Sequence, residues 1–107
     1  MLALAMGLAM IAADPGDNSA RARFVECVKG AMDKASAAKV APPAFADFAK
    51  QSCVSETSAF RANLIAYDVK AGWTRKKAEP DAEGQIGDAL ADWTDRYRDN
   101  GNITAAK

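Results

Sequence analysis

Two cysteines are the residues of this chain best suited to chemistry. Cys27 and Cys53 are the only cysteines among 107 residues and lie 26 positions apart, and the chain has no histidine. That spacing excludes a C-x-x-C redox motif, and no further Cys or His can complete a zinc site, so we expect no metal site. In a short exported chain an even cysteine count predicts a disulfide, which would stabilise the fold by about 3 kcal/mol. The alternative is a pair of reduced core cysteines in a cytosolic protein.

Hydroxyl side chains offer a second possibility, that of a nucleophile. Ser52, Ser55, Thr57 and Ser58 are clustered, but the usual general base, histidine, is missing and no G-x-S-x-G motif is present. Lys50 is the one nearby activator, and nothing specific supports a Lys-activated serine. We therefore expect a protein that is not an enzyme, with no catalytic residue and no cofactor.

A basic cluster with one aromatic residue is the candidate site for partner binding. It consists of Lys70, Trp73, Arg75, Lys76 and Lys77. Such a cluster can contact an anionic partner, such as phospholipid headgroups, envelope polysaccharide or an acidic protein. The simpler alternative, which the sequence alone favours, is a solvated helix end where cations suit the C-terminal dipole. A net charge of zero and the lack of an aromatic ladder argue against nucleic acid.

Acidic residues dominate the last part of the chain. Carboxylates at helical spacing could hold Ca²⁺ or act as an acid and a base, but the turn and glycine of a calcium loop are missing. We instead expect local ion pairs, with Arg96 four residues after Asp92 and Arg98 three after Asp95. The acidic residues are Glu79, Asp81, Glu83, Asp88, Asp92, Asp95 and Asp99.

The first thirteen residues predict export. Residues 1–13 are apolar and uncharged, and a polar break, Asp-Pro-Gly-Asp-Asn, follows at residues 14–18. The apolar run is too short to span a bilayer, which needs about 20 residues, but it matches the core of a signal peptide, although no Lys or Arg precedes it. We expect cleavage after Ala13 or Ala12, no transmembrane span once the leader is removed, and a periplasmic or secreted protein. The alternative is a short buried N-terminal helix.

Hydrophobic periodicity predicts three helices in a single domain, residues 14–107. The first covers residues 19–39, with Asp17, Asn18 or Ser19 as its cap, and ends before two prolines. The second covers residues 43–71 and ends at Gly72, a natural position for positive φ. The third covers residues 80–98, because Pro80 should interrupt any earlier start and residues 99–102 should stop it, leaving residues 103–107 as a loose tail. Gly84 and Gly87 should weaken its first turns.

The apolar stripes of these helices predict an all-α fold, a small antiparallel three-helix bundle. Both cysteines lie on the stripes of their own helices, which predicts one interhelix disulfide between antiparallel neighbours. We expect Tyr67, Trp93 and Tyr97 in the core and Trp73, in the connector, partly exposed.

Several short segments resemble small exported helical proteins of alphaproteobacteria, sphingomonads especially, that carry one cysteine pair. These are the apolar leader, Phe-Val-Glu-Cys-Val-Lys at residues 24–29, Cys53 with Phe60 and Arg61, and Asp-Val-Lys-Ala-Gly at residues 68–72. The resemblance implies the helical fold and the exported compartment, and no activity. The build is also similar to that of periplasmic acid-stress chaperones, which are small, helical and held by one disulfide.

These observations favour a non-catalytic exported protein that binds another protein or an envelope component. One version is an acid-stress chaperone, whose 14 carboxylates would be protonated at low pH, loosening the bundle and exposing its apolar stripes. Another docks on a partner through Trp73 and the basic cluster. The identity of the partner and the oligomeric state do not follow from the sequence.

Overall fold

Four α-helices make up the part of the chain that the structure describes. The structure, a computed structural model, describes residues 18–106, with side chains for residues 18–100, so the predicted leader at residues 1–13 lies outside it. The helices are α1 (Ser19–Ala37), α2 (Phe45–Ser52), α3 (Val54–Lys70) and α4 (Arg75–Ala106), and a 3₁₀ turn (Pro42–Ala44) precedes α2. The all-α prediction is confirmed. No helix among residues 18–106 is both long and apolar enough to cross a bilayer.

Helix α1 follows the sequence prediction closely. It begins after Asn18 and ends at Ala37, with its apolar stripe buried. Its C-terminus closes in a Schellman motif, in which the N–H of Val40 donates to the carbonyl of Ala35 at 2.9 Å. Lys39 occupies the left-handed position of this motif, with φ of 57°, where glycine is the usual residue.

The predicted second helix is two helices, because the chain leaves helical geometry at Cys53. Its φ of −123° and ψ of 44° separate α2 from α3. The break keeps the backbone of Cys53 hydrogen-bonded, since its N–H donates to Ala49 and its carbonyl accepts from Thr57, both at 2.9 Å. The change of direction lets α2 bury Phe45 and α3 bury Phe60. The hydrophobic periodicity of the sequence carries no signal of this bend.

Helix α4 begins at Arg75, which makes the predicted start near Pro80 wrong. Thr74 caps the helix through its hydroxyl, which accepts the N–H of Lys77 at 3.2 Å. Ala78 and Ala82, on either side of Pro80, are fully buried against Ile65 of α3. This packing outweighs the backbone hydrogen bond that proline cannot donate. Gly84 and Gly87 consequently lie inside the helix and not in its first turns.

Helix α4 also continues past its predicted end, to Ala106. The segment at residues 99–102, which was expected to stop it, contains Asn and Gly but no Pro. Such residues lower helix stability by about 1 kcal/mol or less each, which does not end a helix that has already propagated for many turns. The expected loose tail at residues 103–107 is therefore helical as far as residue 106.

Aromatic pairs hold the core together and show how the helices run. Phe24 of α1 contacts Phe60 of α3, with ring centroids 4.9 Å apart. Cys27 comes three residues after Phe24, and it is bonded to Cys53, which comes seven residues before Phe60. Helices α1 and α3 are therefore antiparallel. Trp93 of α4 is buried in the same core, and α2 and α4 meet where Phe45 stacks on Tyr97 at 4.7 Å. The Tyr97 hydroxyl donates to the carbonyl of Val40, which fastens α4 to the end of α1.

Candidate functional site

The predicted disulfide between Cys27 and Cys53 is confirmed. The two Cα atoms lie 6.0 Å apart, and Cys53 is fully buried. The bridge does not join two helix faces as expected, because Cys53 forms the junction between α2 and α3. It therefore fastens α1 to the point where the chain bends. A carboxylate oxygen of Glu56 lies within 4.8 Å of both sulfur atoms, but disulfide sulfurs are not the thiolates that bind metals.

The turn between α3 and α4 carries the predicted partner-binding residues, and we call it the corner (Lys70, Trp73, Arg75, Lys76 and Lys77). Gly72 has φ of 108°, and Trp73 donates its N–H to the carbonyl of Asp68 at 2.9 Å. These features are those of a Schellman motif, as the glycine predicted. The motif turns the chain sharply and leaves Trp73 44% exposed, which agrees with the expectation for this residue.

The positions of the corner cations change their interpretation. Only Lys70 lies in the last turn of a helix, where the dipole favours it. Arg75, Lys76 and Lys77 form the first turn of α4, which carries no acidic residue. Positive charge opposes the dipole at a helix N-terminus, at a cost of about 0.3–1 kcal/mol for each charge. The dipole explanation that the sequence favoured therefore fails for three of the four cations.

Ion pairing does little to offset the charge of the corner. Arg75 pairs with Glu79 at 3.3 Å, but the two side chains are 72% and 56% exposed, so water and salt screen the pair. Among the described residues no carboxylate forms an ion pair with Lys70, Lys76 or Lys77. The corner therefore presents a net positive charge around an exposed indole.

Next to the corner, two carboxyl groups meet across the turn. Asp68 at the end of α3 is half-buried, and no donor reaches its shielded Oδ2 atom. Partial burial, a hydrogen bond with Asp81 and the negative charge of Asp81 raise the pKa of Asp68 above its usual value of 3.8. Gln85 donates to the other carboxyl group, that of Asp81, at 2.9 Å. A proton shared between the two carboxyl groups would satisfy both of them.

Two concave surfaces border this end of the molecule. A cavity of about 220 Å³ lies beside Asp68 and is lined also by Arg21 and Asn63. A more open groove of about 590 Å³ separates α3 from the start of α4 and includes Arg75 and Lys76 of the corner. Arg61 of α3 pairs with Glu83 of α4 across this groove at 2.5 Å. The charged side chains of the groove are therefore mostly paired, unlike those of the corner.

The remaining candidate residues have mainly structural roles. Trp93 and Tyr97 are buried, as expected, but Tyr67 is 57% exposed because the buried stripe of α3 shifts to Asn63 and Ile65. Arg98 pairs with Asp95 as predicted. Arg96 does not pair with Asp92 but lies over the Trp93 ring, 4.5 Å from its centroid.

Sequence reasoning missed the Asp68–Asp81 pair and the true start of α4. The carboxyl pair forms only because α3 and α4 fold back on each other, so neither residue carries a local signal of it. The start of α4 has a signal in Thr74, a good cap residue, but Pro80 six positions later carries a stronger signal for a helix boundary. Comparison with protein-family models, curated proteins and solved structures gives no match, so the function is inferred from these residues.

Proposed function

We propose that this protein is exported and works without catalysis, by docking on an anionic component of the cell envelope through the corner. In this proposal residues 1–13 are a secretory signal, and the mature chain is an antiparallel bundle whose middle segment consists of α2 and α3. The Cys27–Cys53 disulfide supports export, since such bonds persist in oxidising compartments.

One observation carries the proposal: three cations occupy the first turn of α4, where the helix dipole disfavours positive charge. Two of them, Lys76 and Lys77, form no ion pair with the described residues, and side chains that lower stability without a structural partner are typical of functional surfaces. Trp73 lies among them and is 44% exposed, although a large aromatic side chain gains most from burial. Charge without pairing and an exposed indole, at the same turn, together favour a docking surface over a solvated helix end.

The test compares two variants that each remove two positive charges. The corner variant carries Trp73→Ala, Lys76→Gln and Lys77→Gln, and the control carries Lys34→Gln and Lys39→Gln at the C-terminal end of α1. We expect the control to sediment with the envelope fraction of the expressing cells as the unmodified protein does. The corner variant should remain unbound, with an unchanged or higher midpoint of urea unfolding. Equal sedimentation of both variants would contradict the proposal.

An acid-activated chaperone is supported less well. That function needs a fold that loosens on acidification, and one of the 14 carboxyl groups, that of Asp68, acts in the opposite direction, because its raised pKa makes a contribution to stability that grows as the pH falls. Protection of an acid-sensitive client from aggregation at a stoichiometric ratio would revive this function, and the lack of protection would eliminate it.

A further inference from the structure

The corner combines exposed aromatic and apolar side chains with unpaired cations, and this combination points to one class of partner. We propose that the corner docks on the surface of a lipid bilayer that contains anionic phospholipid. This inference rests on the proposed function and names the partner of the same surface.

Three of the four exposed large apolar side chains among the described residues lie at or just after this end of α3, and the fourth, Val54, lies at the other end. Tyr67, Val69 and Trp73 are 57%, 42% and 44% exposed, and they lie within seven residues of one another. Tyrosine and tryptophan are the residues enriched at the boundary between hydrocarbon and headgroups, because each combines an apolar ring with a polar group. A bilayer surface can therefore accept side chains that water hydrates poorly.

The cations next to these side chains match an anionic surface. Lys70, Lys76 and Lys77 are exposed and form no ion pair with the described residues. Lysine has a long apolar stem, so its ammonium can remain among headgroups while the stem lies beside a buried ring. Anionic lipid attracts such clusters over about one Debye length.

The small extent of the unpaired positive charge favours a bilayer over an acidic protein. A stable protein interface buries about 600–1,000 Å² on each partner. The neighbouring groove does not extend the positive surface, because Glu79 and Glu83 pair with its arginines. A bilayer, in contrast, attracts a small cluster of cations without needing a matching pocket.

Sedimentation with vesicles tests the inference on the full chain. Vesicles of phosphatidylcholine, with or without phosphatidylglycerol, are mixed with the unmodified protein, the Lys76→Gln/Lys77→Gln variant or the Lys34→Gln/Lys39→Gln control. We expect binding only where phosphatidylglycerol is present, weakened by added salt. Each lysine near an anionic surface raises the partition coefficient about five- to sixfold, so removing the two corner lysines should lower it about thirtyfold. The control should bind as the unmodified protein does.

Tryptophan fluorescence shows which part of the molecule meets the lipid. Lipid carrying bromine in its acyl chains should quench Trp73, while Trp93 is buried in the core and should remain unquenched. In a Trp73→Phe variant, which keeps an aromatic ring at the corner, the quenching should disappear although binding persists.

The outcomes separate this inference from the proposed function. Two results would overturn the inference: binding that does not require phosphatidylglycerol, and binding that is unchanged when Lys76 and Lys77 are replaced. Either result would mean that the leader attaches the protein to the vesicle. Binding to polyglutamate in solution, with none to vesicles, would overturn the inference and leave an acidic polypeptide as the partner of the corner. Binding to neither probe would overturn the inference, whereas the proposed function is overturned only if the corner variant and its control sediment equally with the envelope fraction.

Discussion

The backbone N–H of Trp73 lies 2.9 Å from the carbonyl oxygen of Asp68 and closes the last turn of helix α3. This one hydrogen bond links the two features that distinguish this end of the molecule. Asp68 contributes its side chain to the carboxyl pair, and Trp73 begins the exposed, positively charged corner. The conformation depends on Gly72, whose φ of 108° is unfavourable for other residues.

Alanine at Gly72 should destabilise the fold and weaken docking. We expect Gly72→Ala to lower the free energy of unfolding by about 1–2 kcal/mol, because a Cβ atom disfavours positive φ. Gly84→Ala is the matched control, since it lies inside α4 with open space around the new Cβ atom. It should raise stability by about 1 kcal/mol. Urea denaturation measures both, and equal effects at the two positions would contradict the assigned turn.

Glutamate at Lys77 should stabilise the protein while it weakens association. Lys77 lies three residues after the cap Thr74, so Lys77→Glu creates a capping box and reverses an unfavourable dipole interaction. We expect a gain of about 1 kcal/mol in urea denaturation together with reduced sedimentation with the envelope fraction. A variant that loses stability would show that Lys77 has a structural role.

Removal of the disulfide should have a larger effect on stability than any corner substitution. The Cys27→Ala/Cys53→Ala variant opens a loop of 26 residues, and we expect a loss of about 3 kcal/mol in the free energy of unfolding. Adding reductant to the unmodified protein should produce a similar shift of the urea midpoint and should leave that of the variant unchanged. An insensitive midpoint for the unmodified protein would contradict a stabilising bridge.

The carboxyl pair gives a specific dependence of stability on pH. Because the pKa of Asp68 is higher in the folded chain than its usual value of 3.8, the chain takes up a proton on folding. The resulting stabilisation is complete below the unfolded pKa and is lost as the pH rises through the folded one. Asp68→Asn keeps a donor toward Asp81 without the charge, so it should remove this decline and stabilise the protein at neutral pH.

The matched control for this experiment is Asp33→Asn, which changes an exposed carboxylate on α1. Its profile of unfolding free energy against pH should keep the decline seen in the unmodified protein. If Asp68→Asn and Asp33→Asn give the same profile, the interaction between Asp68 and Asp81 does not contribute to stability.

The sequence predicted those parts of the fold that depend on local periodicity and on special residues. The buried stripe of α1, the turn at Gly72 and the pairing of Cys27 with Cys53 all followed from spacing or residue type. The exposure of Trp73 was predicted for the same reason, since it lies between two apolar stripes.

Features that depend on contacts between distant segments were not predictable. The bend at Cys53 has no Gly or Pro to indicate it, and it is explained by the separate packing of Phe45 and Phe60. Pro80 was interpreted as a helix boundary because the burial of its neighbours against Ile65 is invisible in the sequence. A helix that began at Pro80 would have left Arg75, Lys76 and Lys77 in a connector, where no helix dipole opposes their charge. The observed start at Arg75 places them in the first turn, where the dipole opposes it.

Photo-crosslinking in the cell tests the corner most directly. Benzoylphenylalanine replaces either Tyr67, which is 57% exposed beside the corner, or Val54, which is 63% exposed at the opposite end of the same helix. We predict ultraviolet-dependent adducts with an envelope component from position 67, lost when Lys76→Gln and Lys77→Gln are added, and none from position 54. Equal adducts from both positions, or adducts from position 54 alone, would contradict docking through the corner.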